Sequence, residues 1–139
     1  NTVFELASIT KQFTAGAIML LVQDGNLRLT DPINLYIENC PAAWNEITIK
    51  HLLTHTSGLP AMGKGNTGAL SLSPMEYIQT ISTQNITKQV AYKVVKTDTL
   101  DFQPGDRYNY SDTGYFLLGF IIDNISGSYR EFIQNRIFD

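Results

Sequence analysis

This chain has little of what would tie it to a membrane, a nucleic acid or a disulfide framework. One cysteine, Cys40, in 139 residues excludes an internal disulfide and leaves the redox compartment open. Cys40 precedes Pro41 in a loop-like stretch without catalytic context, so no chemistry is expected of it. No apolar run approaches the roughly 20 residues that a membrane helix needs, the longest being interrupted by Gly16 or Gly119. Ten lysines and arginines against thirteen aspartates and glutamates leave a net charge of -3 and a pI near 5.3. The basic residues are scattered rather than gathered into a stripe, which argues against a nucleic-acid partner. Internal repeats and low-complexity segments are missing too.

What is present is the composition of a globular domain, with 43% hydrophobic and 17% charged residues, at a length of one domain at most. The chain opens on Asn1 a few residues before its most informative motif. It closes inside helical periodicity at Asn135-Arg136-Ile137-Phe138-Asp139, without a cap. Both ends predict a processed or excised part of a larger domain, spanning residues 1–139.

Along the chain, Ile9 to Asp24 reads as a helix closed by the turn Asp24-Gly25-Asn26. Its apolar residues point in every direction, the pattern of a helix enclosed on all sides. Leu27 to Ile33 reads as a short extended stretch broken by Pro32, and Leu35 to Asn45 as irregular. Thr48 caps a predicted helix from Ile49 to Thr56, ended by Ser57-Gly58-Leu59-Pro60. Ala61 to Leu70 reads as a surface loop. Ser73-Pro74-Met75-Glu76 opens a helix to about Ser82. Asn85 to Leu100 carries little signal, and Val90 to Val95 fits strand or helix alike. Phe102-Gln103-Pro104-Gly105-Asp106 makes a tight turn. Ser111 or Asp112 then begins an apolar helix through Ile125, and a last amphipathic helix covers Tyr129 to Phe138.

The chemistry sits in Ala7-Ser8-Ile9-Thr10-Lys11-Gln12-Phe13. In a helix, Ser8 occupies the opening turn and Lys11 lies on the same face one turn later. A serine hydroxyl is a poor nucleophile until a neighbouring base takes its proton, and a lysine this close can supply or relay that base. Burial at the foot of a cleft would lower the lysine's proton affinity and suit it to the task. The spacing alone fits a capping serine followed by an exposed lysine better, and only the neighbouring blocks turn it toward chemistry. Tyr110-Ser111-Asp112, after the Pro104-Gly105 turn and before a helix, is placed to project into a cleft. A tyrosine and a lysine beside one serine make a proton relay; Tyr108, Tyr110 and Tyr115 also fit packing residues with a wet hydroxyl.

Four blocks, in order, resemble the serine β-lactamase and penicillin-binding-protein superfamily, in the branch of class C β-lactamases, D-Ala-D-Ala carboxypeptidases and related esterases. They are the Ser8-Ile9-Thr10-Lys11 block, the continuation Asp24-Gly25-Asn26 to Pro32, the segment Ile47 to Pro60 containing His51 and His55, and Phe102 to Tyr115 with Leu117-Leu118-Gly119 behind it. The resemblance implies an α/β fold of which this chain supplies the helical region plus the nucleophile helix. The chain is therefore expected to be mainly α, with most of the sheet missing. It implies that Ser8 is acylated, that Lys11 and Tyr110 act as base and then acid, and that the backbone N–H of Ser8 is half of an oxyanion hole. The family's substrate-binding asparagine falls on Asp112, a departure: an ionised aspartate only accepts hydrogen bonds and favours a charged Lys11. Ser111-Asp112-Thr113 also admits an alignment with a Ser-Asp-Asn motif, although Tyr110 favours the first. The family's third motif, a late Lys-Thr-Gly or His-x-Gly strand, has no counterpart, since Lys64-Gly65 and Lys96-Thr97-Asp98 lie in the wrong context.

The implied function is a serine hydrolase or acyltransferase acting on a small-molecule β-lactam, a peptidoglycan peptide ending in D-Ala-D-Ala, or an ester, without metal or organic cofactor. The implied setting is the bacterial periplasm or extracellular space. The rival expectations are a non-catalytic penicillin-recognising sensor or degenerate binding homologue, and a fragment inactive in isolation. In that last case an uncovered apolar face predicts dimerisation, element swapping or binding of a hydrophobic dye. His51 and His55 stand four apart, a zinc-compatible spacing, but no glutamate neighbours His51 and no third ligand is near. Asn85-Ile86-Thr87 and Asn124-Ile125-Ser126 match the glycosylation pattern, which is too common to carry weight.

Overall fold

The apolar stretch after Ser8 folds as a 3-10 turn, Ala7–Ile9, running directly into helix α1, Thr10–Gln23. The computed structural model describes residues 2, 4, 6–61, 92, 96 and 99–139. The expected loop at 62–70, the helix at Ser73–Ser82 and most of the weak segment 85–98 lie outside the described residues. α1 ends as its sequence requires. Gly25 takes φ +76°, and the Gly25 and Asn26 N–H groups bond back to the Val22 and Leu21 carbonyls, closing the exposed end of the helix.

Among the described residues α1 is covered on one side only, as expected where a helix apolar all round lacks part of its cover. Thr14, Ala17, Ile18 and Leu21 are buried, whereas Met19 is 49% and Ile9 56% exposed. The helix is packed on one face only, because among the described residues its partners lie on that side alone.

Short elements connect α1 to the rest. The stretch 27–33 makes an isolated antiparallel bridge, Pro32 to Thr48, instead of a strand. Within the segment read as irregular, 3-10 turns form at Ile33–Leu35 and Ala42–Trp44. Trp44, Ile33, Ile37 and Ile47 are fully buried, each stabilising the core by about 2 kcal/mol. Cys40 donates its thiol hydrogen to the Ile37 carbonyl, and burial pushes that thiol up in pKa, consistent with a packing role.

Helix α2, Ile49–Leu53, starts as Thr48 predicts. The His51 N–H donates to Thr48 Oγ1, and the Thr48 N–H donates to His51 Nδ1, so the cap is reciprocal. The helix stops three residues short of expectation. His55 takes φ +57°, a left-handed conformation that a helix does not continue through.

The central element is α3, Asp112–Ser126, which buries Thr113, Gly114, Leu117, Leu118, Ile121 and Ile122. It packs against α1, α2 and α4, the last spanning Tyr129–Ile133. At Gly114 an added Cβ would stand 3.4 Å from the Leu52 carbonyl oxygen, so the small residue lets α3 lie close on α2. Beyond α4 the predicted last helix widens into π-type turns at Gln134–Phe138. Phe138 packs edge-on to Phe13 of α1. Arg136 grips Asp24 through two hydrogen bonds, of 2.8 and 3.2 Å. Among the described residues no strand forms, in keeping with the mainly α expectation.

Candidate active site

The 3-10 turn sets Ser8 at the mouth of α1, and the residue before it carries strain. Ala7 has φ +45°, a conformation that costs an alanine about 1 kcal/mol or more. Ser8 does not cap the helix; the position before α1 makes no side-chain capping bond. Its hydroxyl turns instead to the far end of the chain, where Ser8 Oγ lies 2.9 Å from the Tyr110 hydroxyl. Lys11 Nζ donates to the same oxygen at 3.3 Å. All of the sequence-predicted residues meet here, since Lys11 Nζ also donates to Asp112 Oδ1 at 2.5 Å. The Lys11 side chain is only 19% exposed, against 51% for Asp112, so it is not a free surface lysine.

The electrostatics depart from the expectation that burial would free Lys11 as a base. Burial does pull its proton affinity down. The hydrogen bond to Asp112, aided by the adjoining Tyr110 oxygen and by the Asp112 charge, outweighs burial and leaves the lysine above its ordinary value. The Lys11 ammonium also stands 5.0 Å from the Tyr110 ring centre and 5.7 Å from that of Tyr115, a cation against two aromatic faces. The resting site therefore holds a charged lysine between a carboxylate and two phenols.

Tyr110 reaches Ser8 because two distant segments are tied together. Asp101 N–H bonds to the Gly58 carbonyl, Gly105 N–H to that of Thr56 and Asn109 N–H to that of His55, each at 2.8 Å. Ser111 Oγ and Thr113 Oγ1 both donate to the Pro60 carbonyl. Gly58 (φ +76°) and Gly105 (φ +95°) supply the left-handed bends that this joint requires. Tyr115, by contrast, is a packing residue whose hydroxyl donates to the Leu53 carbonyl, and Tyr108 is 66% exposed.

The two histidines have separate duties. His51 is engaged in the α2 cap, whereas the His55 ring lies 4.6 Å from that of Tyr110 and 5.1 Å from that of Tyr115. His55 is the residue at this site whose part the sequence did not announce. The signal that could have found it was its place in the Ile47–Pro60 block, the segment to which the one carrying Tyr110 is tied. Among the described residues no group of three or more His, Cys, Asp or Glu is arranged to hold a metal. Asn124 of the second glycosylation pattern donates its amide to the Tyr36 carbonyl.

Beside the Lys11–Asp112 pair opens a groove of about 360 Å³ between α1 and α3, lined chiefly by Ala7, Thr14, Tyr115, Phe116, Phe120 and Tyr129. Thr14 Oγ1 and the Tyr129 hydroxyl, 2.8 Å apart, tie α1 to α4.

Residues 1–139 match the family described as Beta-lactamase. The chain belongs to the Beta-lactamase family. It is 35% identical to penicillin-binding protein 4* of Bacillus subtilis, over 99% of this chain but 29% of that protein. The chain thus spans less than a third of the length of the curated relatives it matches. Among solved structures, a D-stereospecific amidohydrolase from Streptomyces sp. superposes with a TM-score of 0.79 at 27% identity, covering 98% of this chain and 41% of that one. A D-amino acid amidase from Ochrobactrum anthropi SV3, in complex with L-phenylalanine, gives a TM-score of 0.76 at 32% identity, covering 97% and 34%. The described helices are the helical portion of the β-lactamase/transpeptidase fold.

Proposed function

We propose that Ser8, Lys11 and Tyr110 form the acyl-transfer centre of a serine hydrolase, and that residues 1–139 are one part of its domain. The supporting observation is the convergence on one hydroxyl: Ser8 Oγ has Tyr110 Oη at 2.9 Å and Lys11 Nζ at 3.3 Å, from segments about a hundred residues apart. Ser8 Oγ attacks the carbonyl carbon of a lactam, amide or ester. As the new C–O bond forms, in the fraction of molecules whose Lys11 is the free amine, the hydroxyl proton passes to that amine with the Tyr110 hydroxyl as relay, and then to the leaving nitrogen or oxygen. Water, or an amine acceptor, then releases the acyl group by the reverse path. The Ser8 N–H lies in an opening turn, where helical N–H groups lack intrahelical partners, and supplies one oxyanion donor. Asp112 faces the substrate beside this centre. The substrates proposed are β-lactams, peptides ending in D-Ala-D-Ala, or related esters, met in the bacterial periplasm or outside the cell.

The Lys11–Asp112 ion pair favours a second reading, a penicillin-recognising sensor or degenerate binding homologue. A lysine held as an ammonium can bind an anionic substrate without turning it over.

Intact mass after incubation with a penicillin, beside a Ser8→Ala control, tests the proposal. A gain of one whole penicillin on the parent chain alone is expected, because ring opening expels no fragment. An adduct that never decays supports the sensor. Absence of any adduct would remove the acyl-enzyme from this chain and leave it a binding or inert role.

A further inference from the structure

We propose that His55 is the positioning residue for Tyr110, its neutral ring holding the tyrosine hydroxyl against Ser8 and its protonation releasing it. This rests on the reading of Ser8 and Tyr110 as an acyl-transfer pair.

Both backbone neighbours of Tyr110 hang on this one residue. The Asn109 N–H donates to the His55 carbonyl at 2.8 Å, and the Ser111 N–H donates to His55 Nδ1 at 3.3 Å. Tyr110 is thereby suspended between a main-chain and a side-chain bond to His55. The left-handed turn at His55, φ +57°, sends its carbonyl and its ring toward the same segment. The ring then fills the space behind the tyrosine. It tilts 35° to the Tyr110 ring and 33° to that of Tyr115, and meets Tyr108 edge-on at 82°. Tyr115 is itself anchored through Leu53, so the His55 ring has a fixed wall on its other face.

A neutral imidazole accepts at one nitrogen and donates at the other, whereas the imidazolium donates at both. Protonation at Nδ1 therefore abolishes the bond from Ser111, a residue only 2% exposed, and leaves a buried N–H without its acceptor. It also places a second cation against the two rings that Lys11 already faces. The groups facing the ring are Lys11 and Asp112, with the phenols of Tyr108, Tyr110 and Tyr115. Burial first, and the Lys11 charge second, hold the His55 proton affinity below its ordinary value against smaller opposing influences of its neighbours. The ring is accordingly neutral at neutral pH, and its switch lies on the acid side. A residue that only filled space would couple neither Ser111 nor Tyr110 to a proton.

Heteronuclear NMR of the whole chain between pH 5 and 8 follows the His55 ring, the Ser111 amide and the Tyr110 ring together, in the parent and in His55→Gln. One shared midpoint below pH about 6.5 is expected in the parent, with no such midpoint in the variant. Penicillin acylation of Ser8, read by mass, falls about tenfold per pH unit above that midpoint, through the Lys11 free-amine fraction, and about a hundredfold per unit below it in the parent, as one further proton requires. It is slower in H55Q and keeps the tenfold slope throughout, without the break. Tyr110 and Ser111 signals that stay fixed while His55 titrates would overturn the proposal, as would a variant that keeps the parent's midpoint. A shared midpoint without acylation at any pH sustains the positioning role and removes the acyl-transfer reading instead. If H55Q does not fold, the parent's titration decides alone.

Discussion

Gly58→Ala strikes the joint that delivers Tyr110. Gly58 has φ +76°, and a Cβ built on it would lie 2.0 Å from the Phe102 carbonyl oxygen. That oxygen belongs to the backbone, so no side-chain rotation relieves the clash, and the two segments must part by about 1 Å or more to reach ordinary contact. The separation breaks the Asp101 to Gly58 bond and stretches the Gly105 to Thr56 bond, both 2.8 Å in the parent. Each is worth about 1 kcal/mol, and an alanine held left-handed loses roughly 1–2 kcal/mol more. Stiffening of the unfolded chain returns about 0.5–1 kcal/mol. The net loss is about 3 kcal/mol, a large fraction of an ordinary domain's stability, and it lowers Tm by roughly 10 °C. Thermal and urea denaturation followed by far-UV circular dichroism measure it directly. Tyr110 should drift from Ser8 in the same variant, so acylation falls with stability. A loss under about 1 kcal/mol would mean that the Gly58–Phe102 contact is not the rigid seam described, and the account of how Tyr110 is placed would fail with it.

Asp112→Asn removes the leading influence that raises Lys11 against the pull of burial. A half-exposed pair is worth at most about 1 kcal/mol, so the free-amine fraction, and with it Ser8 acylation at neutral pH, should rise about fivefold. A slower variant would show that the carboxylate itself is needed. The sign carries into stability. A lysine raised in the folded state stabilises fully below its ordinary value of 10.5 and loses that contribution as pH climbs through the folded value. Alkaline denaturation midpoints of parent and D112N should therefore converge at high pH. Thr48→Ala removes the acceptor for the His51 N–H at the start of a five-residue helix. A loss of about 1 kcal/mol is expected in urea titrations, and an unchanged midpoint would mean that water replaces the cap.

Much of this chain is local, and local features were legible. Gly25 closes α1 and Gly127 closes α3 with positive φ, as a glycine after a helical period predicts. Thr48 caps α2, and Pro104-Gly105 makes its turn. Where the sequence misled, a distant partner overrode the local pattern. α2 stops short because His55 is pulled left-handed to serve the segment carrying Tyr110. α1 meets the expectation of a helix short of cover: it is apolar all round and, among the described residues, packed on one side, because periodicity states how greasy a helix is and not what stands beside it.

At the site, the sequence alone determined that Ser8 and Lys11 share a helix face, since a three-residue step returns to the same side within one turn. It also determined that Asp112 is an acceptor where an amide would both donate and accept. Only the tertiary structure decided that Tyr110, 102 residues away, meets Ser8, that Asp112 comes within hydrogen-bond distance of Lys11, and that His55 stands behind the tyrosine. Those three outcomes turn on ångström distances set by the joint between residues 55–60 and 101–113, and charge and hydrogen bonding change steeply over such distances.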